Sequence, residues 1–493
     1  MFGWSSLLSY LKRARFALVA FLLPFGIRAI PEIASGQYPV GWDTISFYVP
    51  STLDWAAGKD SLLFMLGEAP LIYAISVPAK LLSVDPVMTF KVMGPMLYGT
   101  LCLSLFKYLR MTLDWNGRRS LEGSLLASLY FVTLRISWDL YRTMLGLTFT
   151  LLALAFLDGA RTWKRHSAVA ILVCLSVLSD QFTAVIVLFI LGYRGIIALA
   201  RRKRETTLTT FKVLVPGLLV FTLMAFGELA TTGVPFPRQP LLQESWNILE
   251  GLNFLIFAFF PLIPLAILGI MELGKKDLQA WIFLCFGGAL AAAMPGFGFA
   301  ETGYRWVLLL SIPFCIYALP GLSAFAKIGR TFSGLPKMVV RNVPKIFAIG
   351  LIVSTGLYIF LPAQVAAPYY SLYPSFVPSS MMQSTVPLSD EGSLVRLLGW
   401  LGSNIGPGTA LITHQAFYGW AREYFSQPNS VVNYGYAGPL TGVEEAKSKG
   451  YLTVVLIWWN NGQGWFGQMG VPSGFSPVRM DGNLAIFDYS ARV

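Results

Sequence analysis

Residues 16–48 read FALVAFLLPFGIRAIPEIASGQYPVGWDTISFY, an apolar run followed at once by a polar stretch that carries one carboxylate, Asp43. The run 16–34 approaches the roughly 20 residues that a helix needs to cross about 30 Å of hydrocarbon. Lys12, Arg13 and Arg15 precede it and no small-residue cleavage site follows, so it is expected to stay as an anchor. Asp43 then stands just outside the first span, in the segment Gly41-Trp42-Asp43-Thr44-Ile45-Ser46-Phe47-Tyr48.

Working outward, the same pattern recurs. The chain is 55% hydrophobic and 13% charged, too little polar surface for a soluble globule of 493 residues. Apolar stretches predict a polytopic α-helical membrane protein with eleven crossings, at 16–34, 88–107, 121–138, 143–160, 167–180, 182–200, 209–231, 251–273, 278–296, 304–325 and 346–366. The stretch 61–83 is apolar enough for a twelfth, but Glu68, Pro70, Pro78 and Lys80 interrupt it. It is expected to form juxtamembrane or re-entrant helices on the outer surface.

The distribution of positive charge supports that count, because cytoplasmic loops collect Lys and Arg. With the N-terminus cytoplasmic, well over half of the 37 Lys and Arg fall on inner segments, including Lys107, Arg110, Arg118, Arg119 and the run Arg201-Arg202-Lys203-Arg204. Counting 61–83 as a span would put that run outside. The net charge of +12 is therefore a topogenic signal that faces an anionic leaflet, and no nucleic-acid partner is implied. The expected location is the cell membrane. Cys102, Cys174, Cys285 and Cys315 all fall in predicted spans, as small apolar packing residues rather than metal ligands or disulfide partners.

The chain is expected to divide into a membrane domain, 1–366, with a long first outer loop at 35–87, and an extracytoplasmic C-terminal α/β domain, 367–493. In the latter, 394–405 and 443–449 have helical periodicity; 409–413, 430–434 and 452–459 have strand character; and 476–488 suggests a hairpin turning at Asp481-Gly482. No glycine-rich phosphate fingerprint or metal-spaced His/Cys cluster occurs there.

Charged side chains at membrane depth are costly and tend to face a cavity or a functional site. Several gather on the predicted outer side: Asp43; Arg135, Asp139 and Arg142; Asp180 and Gln181; Glu301 and Arg305. Carboxylates and arginines at one depth suit glycosyl transfer from a polyprenyl-phosphate sugar. A carboxylate deprotonates the acceptor hydroxyl while Arg neutralises the leaving phosphate. Each residue also has a plainer reading. Asp43 would cap a helix beginning near Thr44, Asp139 would pair with Arg135 or Arg142, Asp180 would cap the sixth span, and Glu301 would pair with Arg305 at i and i+4. Arg28 and Glu32 share that spacing and read as a structural pair. His414, one of two histidines, faces either a site or the solvent.

At this point the chain resembles the GT-C fold glycosyltransferases, integral-membrane enzymes that include protein mannosyltransferases, aminoarabinose transferases and oligosaccharyltransferase catalytic subunits. The resemblance is carried by Tyr38-Pro39-Val40-Gly41-Trp42-Asp43, by Tyr141-Arg142-Thr143-Met144-Leu145-Gly146, by Tyr304-Arg305-Trp306 at the start of a late span, and by the outer C-terminal domain. It implies Asp43 as the first-loop catalytic acid, Asp139 as the second-loop acid and Arg305 as a phosphate-binding residue. Arg142, Asp180, Gln181, Glu301 and His414 are further substrate-binding candidates. It also implies a polyprenyl-phosphate-linked donor and a glycan, lipid or protein acceptor. No cofactor is required by the motifs, while Asp43, Asp139 and Glu301 are the oxygen donors open to a divalent cation such as Mg2+ or Mn2+. The Trp-Trp-Asp-Tyr-Gly motif of oligosaccharyltransferases has no counterpart. Its place holds His414-Gln415-Ala416-Phe417-Tyr418-Gly419-Trp420, and Trp458-Trp459-Asn460-Asn461-Gly462 comes later without the acid. Sequon recognition therefore does not follow from the resemblance.

Two other classes compete with an enzyme. A flippase or transporter of lipid-linked sugars predicts pseudo-symmetric halves and charges at mid-membrane, whereas the sequence has no internal repeat. A non-catalytic subunit of an envelope assembly would keep the fold without the reaction.

Overall fold

The computed structural model describes residues 4–159, 162–232, 246–294, 302–331, 337–406, 408–461, 463–464, 467–468, 470–471 and 473–489. The chain forms two compact units. One comprises Met1–Ala29, Asp60–Ile75 and Val92–Gly356; the other comprises Ile30–Lys59, Ser76–Lys91 and Leu357–Val493.

The first unit is helical. Among the described residues, six helices are long and apolar enough to cross a membrane: Ala14–Ala34, Pro86–Thr112, Gln181–Ala200, Arg204–Thr231, Gly303–Lys327 and Asn342–Phe360. Two bent pairs raise the number to eight if each is one span: Phe131–Asp139 with Tyr141–Leu157, bent by 116°, and Ile248–Phe259 with Ile263–Leu273, bent by 82°. The helices Trp163–Ser179 and Lys276–Ala292 have 17 residues each. At 1.5 Å per residue they are about 26 Å long, short of the hydrocarbon thickness. The predicted single span 121–138 is instead two helices, Gly117–Leu129 and Phe131–Asp139, parted at Tyr130, whose backbone is extended. Residues 61–83 form the short helices Leu62–Gly67 and Tyr73–Leu81 rather than one crossing.

The break at Leu140, between Phe131–Asp139 and Tyr141–Leu157, carries neither Gly nor Pro, so its freed backbone groups need other partners. Arg28 supplies them. Its fully buried guanidinium donates to the carbonyl oxygens of Ser137 (2.9 Å) and Trp138 (3.4 Å) and to the Tyr141 hydroxyl (3.0 Å). A cation at a helix C-terminus satisfies orphan carbonyls and opposes the negative end of the helix dipole. Elsewhere the bundle closes on aliphatic side chains, with Ala153, Leu157, Val173, Val187, Leu191 and Val213 forming one continuous core. The helices Ile263–Leu273 and Ser311–Thr331 approach at backbone distance. A Cβ on Gly269 would lie 1.8 Å from the Tyr317 carbonyl oxygen, and one on Gly321 would lie 1.9 Å from that of Leu265. Small residues at such crossings let helices associate where lipid supplies no hydrophobic drive.

The second unit holds a five-stranded sheet, built from β1 (Thr409–His414), β2 (Val431–Gly435), β3 (Thr453–Trp459), β6 (Phe475–Asp481) and β7 (Leu484–Tyr489), in the order β2-β1-β3-β7-β6. A separate two-stranded ribbon joins β4 (Gln463–Gly464) to β5 (Gly467–Gln468). β1 runs parallel to β2 and β3, and the helices Gln415–Tyr424 and Pro439–Ser448 supply the crossovers that parallel pairing requires. β6 and β7 form the expected hairpin, with Asp481 opposite Leu484 and Gly482 at φ +59°, the left-handed conformation that glycine adopts without steric cost. The helix predicted at 394–405 begins earlier and spans Leu388–Asn404. The stretches 30–59 and 76–91 of the outer loop belong to this same unit.

Candidate functional site

Asp43 lies in the second unit. It begins a five-residue π-helix, Thr44–Tyr48, yet its side chain makes no capping bond to it. The capping role expected of it is therefore not realised, and the residue is buried. π-helical turns are rare and recur at functional sites.

Several contacts fix this turn. Gly41 N–H donates to the Gln383 carbonyl (3.2 Å) just before it. Within it, Gln415 Nε2 donates to the Ser46 carbonyl (3.0 Å), while Asn433 Nδ2 donates to Gln415 Oε1 (2.8 Å) and fixes the amide from behind. Gly419, one turn further along the same helix, lies against Ile45. Any Cβ there would fall 1.5 Å from the Ile45 carbonyl oxygen. The sequence reading singled out none of Gln383, Gln415, Gly419 or Asn433. The only signal for Gln415 and Gly419 was that 414–420 occupies the place of a family motif; Gln383 and Asn433 had none.

Next to this turn is a buried ionic knot. Lys91 Nζ donates to the carbonyls of Glu32 (2.7 Å) and Tyr38 (2.7 Å), to Ser35 Oγ (2.6 Å) and to Glu32 Oε2 (3.3 Å). Glu32 thus pairs across the fold with Lys91, while Arg28 serves the carbonyls named above. Such a knot clamps the segment 32–38 that leads to Asp43.

His414 is fully buried, not on the surface. It is the N-cap of Gln415–Tyr424, where its Nδ1 accepts from Ala416 N–H (3.2 Å), and its ring packs among Tyr434, Tyr436 and Trp458. Burial lowers its pKa to about 4, so it is neutral and structural in geometry.

The remaining sites fall in the first unit. Asp139 accepts from Arg135 Nη1 in a buried i, i+4 pair, and that guanidinium also lies 5.2 Å from the Trp138 ring centroid. Asp180 caps Gln181–Ala200: its Oδ2 accepts from Thr183 N–H (3.0 Å) and its Oδ1 from the Thr143 hydroxyl (3.2 Å). Gln181 Nε2 is 3.5 Å from Glu228 Oε2. Arg142 donates to the Glu68 carbonyl (2.7 Å), with the Glu68 carboxylate at 3.7 Å. Arg305 lies against the Phe182 ring at 5.8 Å, and its Nε donates to the Tyr304 hydroxyl (3.3 Å).

Arg305 also borders a small apolar cleft with Ile136, Leu140, Thr143 and Phe182. The structure thus brings Arg305, Thr143 and Asp180 into one neighbourhood through Phe182 and Thr143. Glu301 lies outside the described residues. Among the described residues no three His, Cys, Asp or Glu side chains are grouped to hold a metal ion. Asp139, one of the expected oxygen donors, is engaged by Arg135.

Comparison with known proteins gives the fold a name. No protein-family model and no curated protein sequence matches the chain. Among solved structures, the chain is similar to ArnT from Cupriavidus metallidurans in the apo state, with a TM-score of 0.53 and 11% identity over 98% of both chains. It is also similar to the Archaeoglobus fulgidus oligosaccharyltransferase in complex with Zn and sulfate, with a TM-score of 0.51 and 11% identity over 90% of this chain and 67% of that one. The shared architecture is the GT-C fold.

Proposed function

We propose that this chain, an integral membrane protein of GT-C fold, is a glycosyltransferase that moves a sugar from a polyprenyl-phosphate carrier to an acceptor hydroxyl or amide on the extracytoplasmic side. The observation that carries the reading is Asp43, a buried carboxylate that starts a π-turn without capping it.

In the proposed reaction the acceptor attacks the anomeric carbon, its proton passes to Asp43, and the bond from that carbon to the carrier phosphate breaks. The phosphate leaves with the electron pair. A guanidinium suits the charge that develops on it, because it matches two phosphate oxygens at once and acts strongly where water is excluded, and the family resemblance gives that role to Arg305. Asp139 holds Arg135 in place as the second-loop acid, and Arg142, Asp180 and Gln181 line the donor side. The proposal includes the eleven-span topology, with the 17-residue helices counted as crossings, the N-terminus cytoplasmic and 367–493 outside.

The test is transfer of radiolabelled sugar from polyprenyl-phosphate donors in membranes that contain the wild type or Asp43→Asn. General-base removal costs typically 10²-fold or more, so transfer is expected to fall by about that factor. Equal transfer by the variant removes Asp43 from the mechanism. Movement of the lipid-linked sugar across the bilayer without bond formation replaces the reading with a flippase. The same assay titrated with EDTA and restored with Mg2+ or Mn2+ reads any cation requirement.

A further inference from the structure

We infer that a cleft among three helices of the first unit, two of which end there, binds the headgroup of an acidic membrane phospholipid, independently of the transfer reaction. The cleft has a volume of about 340 Å³ and lies among Phe16, Phe106, Lys107, Arg110, Met111 and Phe156. Phe16 is near the start of Ala14–Ala34, Lys107 to Met111 close the last turns of Pro86–Thr112, and Phe156 is at the end of Tyr141–Leu157. In helices of this length and hydropathy, the ends mark a membrane interface.

The two cations that line the cleft have no counter-charge among the described residues. Arg118 pairs with Glu122, Lys327 with Glu272, and Arg194 with Asp158 and Asp277. Lys107 and Arg110, by contrast, make no ion pair or hydrogen bond among the described residues. They are exposed and stand at i and i+3, on one face of their helix.

Arg110 and Phe16 converge over Gly117. A Cβ on Gly117 would lie 3.2 Å from Arg110 Nη1 and 2.8 Å from Phe16 Cδ2, so the guanidinium and the ring share the space that glycine leaves. Arg15 adds a third cation, with its guanidinium carbon 4.7 Å from the Phe16 ring centroid.

This arrangement fits an amphiphile rather than a free anion. A phosphodiester offers two anionic oxygens to the planar Arg110 fork and a point-charge contact to Lys107. Met111 and Phe156, 44% and 39% exposed, form an apolar wall that inorganic phosphate would leave unused and that glycerol-linked acyl chains would cover.

The test is native mass spectrometry of the full chain released from micelles that contain equal phosphatidylglycerol and phosphatidylcholine. The wild type is expected to retain phosphatidylglycerol over phosphatidylcholine by roughly tenfold. The ratio should fall to near one in Lys107→Gln/Arg110→Gln and stay at the wild-type value in Lys327→Gln, which removes a cation elsewhere. Inorganic phosphate at millimolar concentration should not displace the lipid. A ratio unchanged in the double variant overturns the inference. So does an equal loss in Lys327→Gln, which would make the preference one of diffuse charge, or displacement by inorganic phosphate, which would make it a site for free anions. The wild-type arms need no variant, so they remain decisive if the double variant does not fold.

Discussion

Asp43 and Asp139 look alike as lone acids beside apolar spans, and their surroundings separate them. Asp139 is bound to Arg135 in a buried pair, so Asp139→Asn strands a guanidinium. Removing one partner of such a pair costs about 3–5 kcal/mol. The expected result is a lower thermal midpoint for Asp139→Asn, read by scanning fluorimetry in detergent, whereas the loss expected of Asp43→Asn is one of transfer. Gly419 gives a sharper case. With its Cβ position 1.5 Å from the Ile45 carbonyl oxygen, Gly419→Ala must displace the turn that follows Asp43 or the helix itself. Overpacking of this kind costs about 1–3 kcal/mol. Transfer is expected to fall mainly in kcat, with donor KM little changed; an unaltered kcat would show that the geometry of the turn does not matter. The sequence marks Asp43 because a carboxylate beside a span is rare. Gly419 is invisible there, since one glycine among 46 acquires meaning only from the carbonyl it faces.

At the scale of elements, hydrophobic periodicity located most helices and all five strands of the main sheet, because side-chain period reports which face is buried. It did not find the break at Tyr130. The residues on either side are apolar, and the carbonyls freed there are met from distant parts of the chain, by the Tyr98 hydroxyl at Ser128 (2.6 Å) and the Thr355 hydroxyl at Leu129. Nor did it find Gln415–Tyr424, although the buried Ala416, Phe417, Trp420 and Ala421 recur there at helical spacing. Asp180 was legible as a cap because Asp before an apolar run is a local signal, and its bonds to Thr183 and Thr143 agree. Asp180→Ala is expected to lower stability by about 0.5–2 kcal/mol, as for other lost caps, with Asp180→Asn recovering most of it. If the alanine variant keeps full stability but loses transfer, the cap is incidental and the carboxylate serves the substrate.

At the scale of the whole molecule, two buried groups of the second unit set its response to pH. Burial pushes Glu391 up to about 8, although the Ser384 hydroxyl at 2.8 Å and the charge of Lys91 pull it down. Its pKa is raised on folding, so its stabilising contribution is complete below about 4.5 and is lost as pH rises towards 8. His414 runs the other way. Lowered from 6.5 to about 4, it contributes above 6.5 and loses that contribution as pH falls to 4. Between 4.5 and 6.5 the two slopes oppose each other, and from 6.5 to 8 only the loss from Glu391 remains. The thermal midpoint is therefore expected to drop over that upper interval in the wild type and to flatten in Glu391→Gln; an equal drop in the variant would assign the slope to other groups. Neither shift was legible from the sequence, because a pKa depends on what surrounds the group. By itself the sequence determined that the chain is helical and membrane-embedded, with an α/β domain at its C-terminal end, since those properties follow from hydropathy, charge bias and local period. Only the tertiary structure decided that 30–59 and 76–91 fold into one unit with 357–493, and that the backbone around Asp43 is held at Gly41 by Gln383, at Ser46 by Gln415 and at Ile45 by Gly419. Contacts between residues hundreds of positions apart leave no periodic trace in the chain, and they exist only once the backbone has closed on itself.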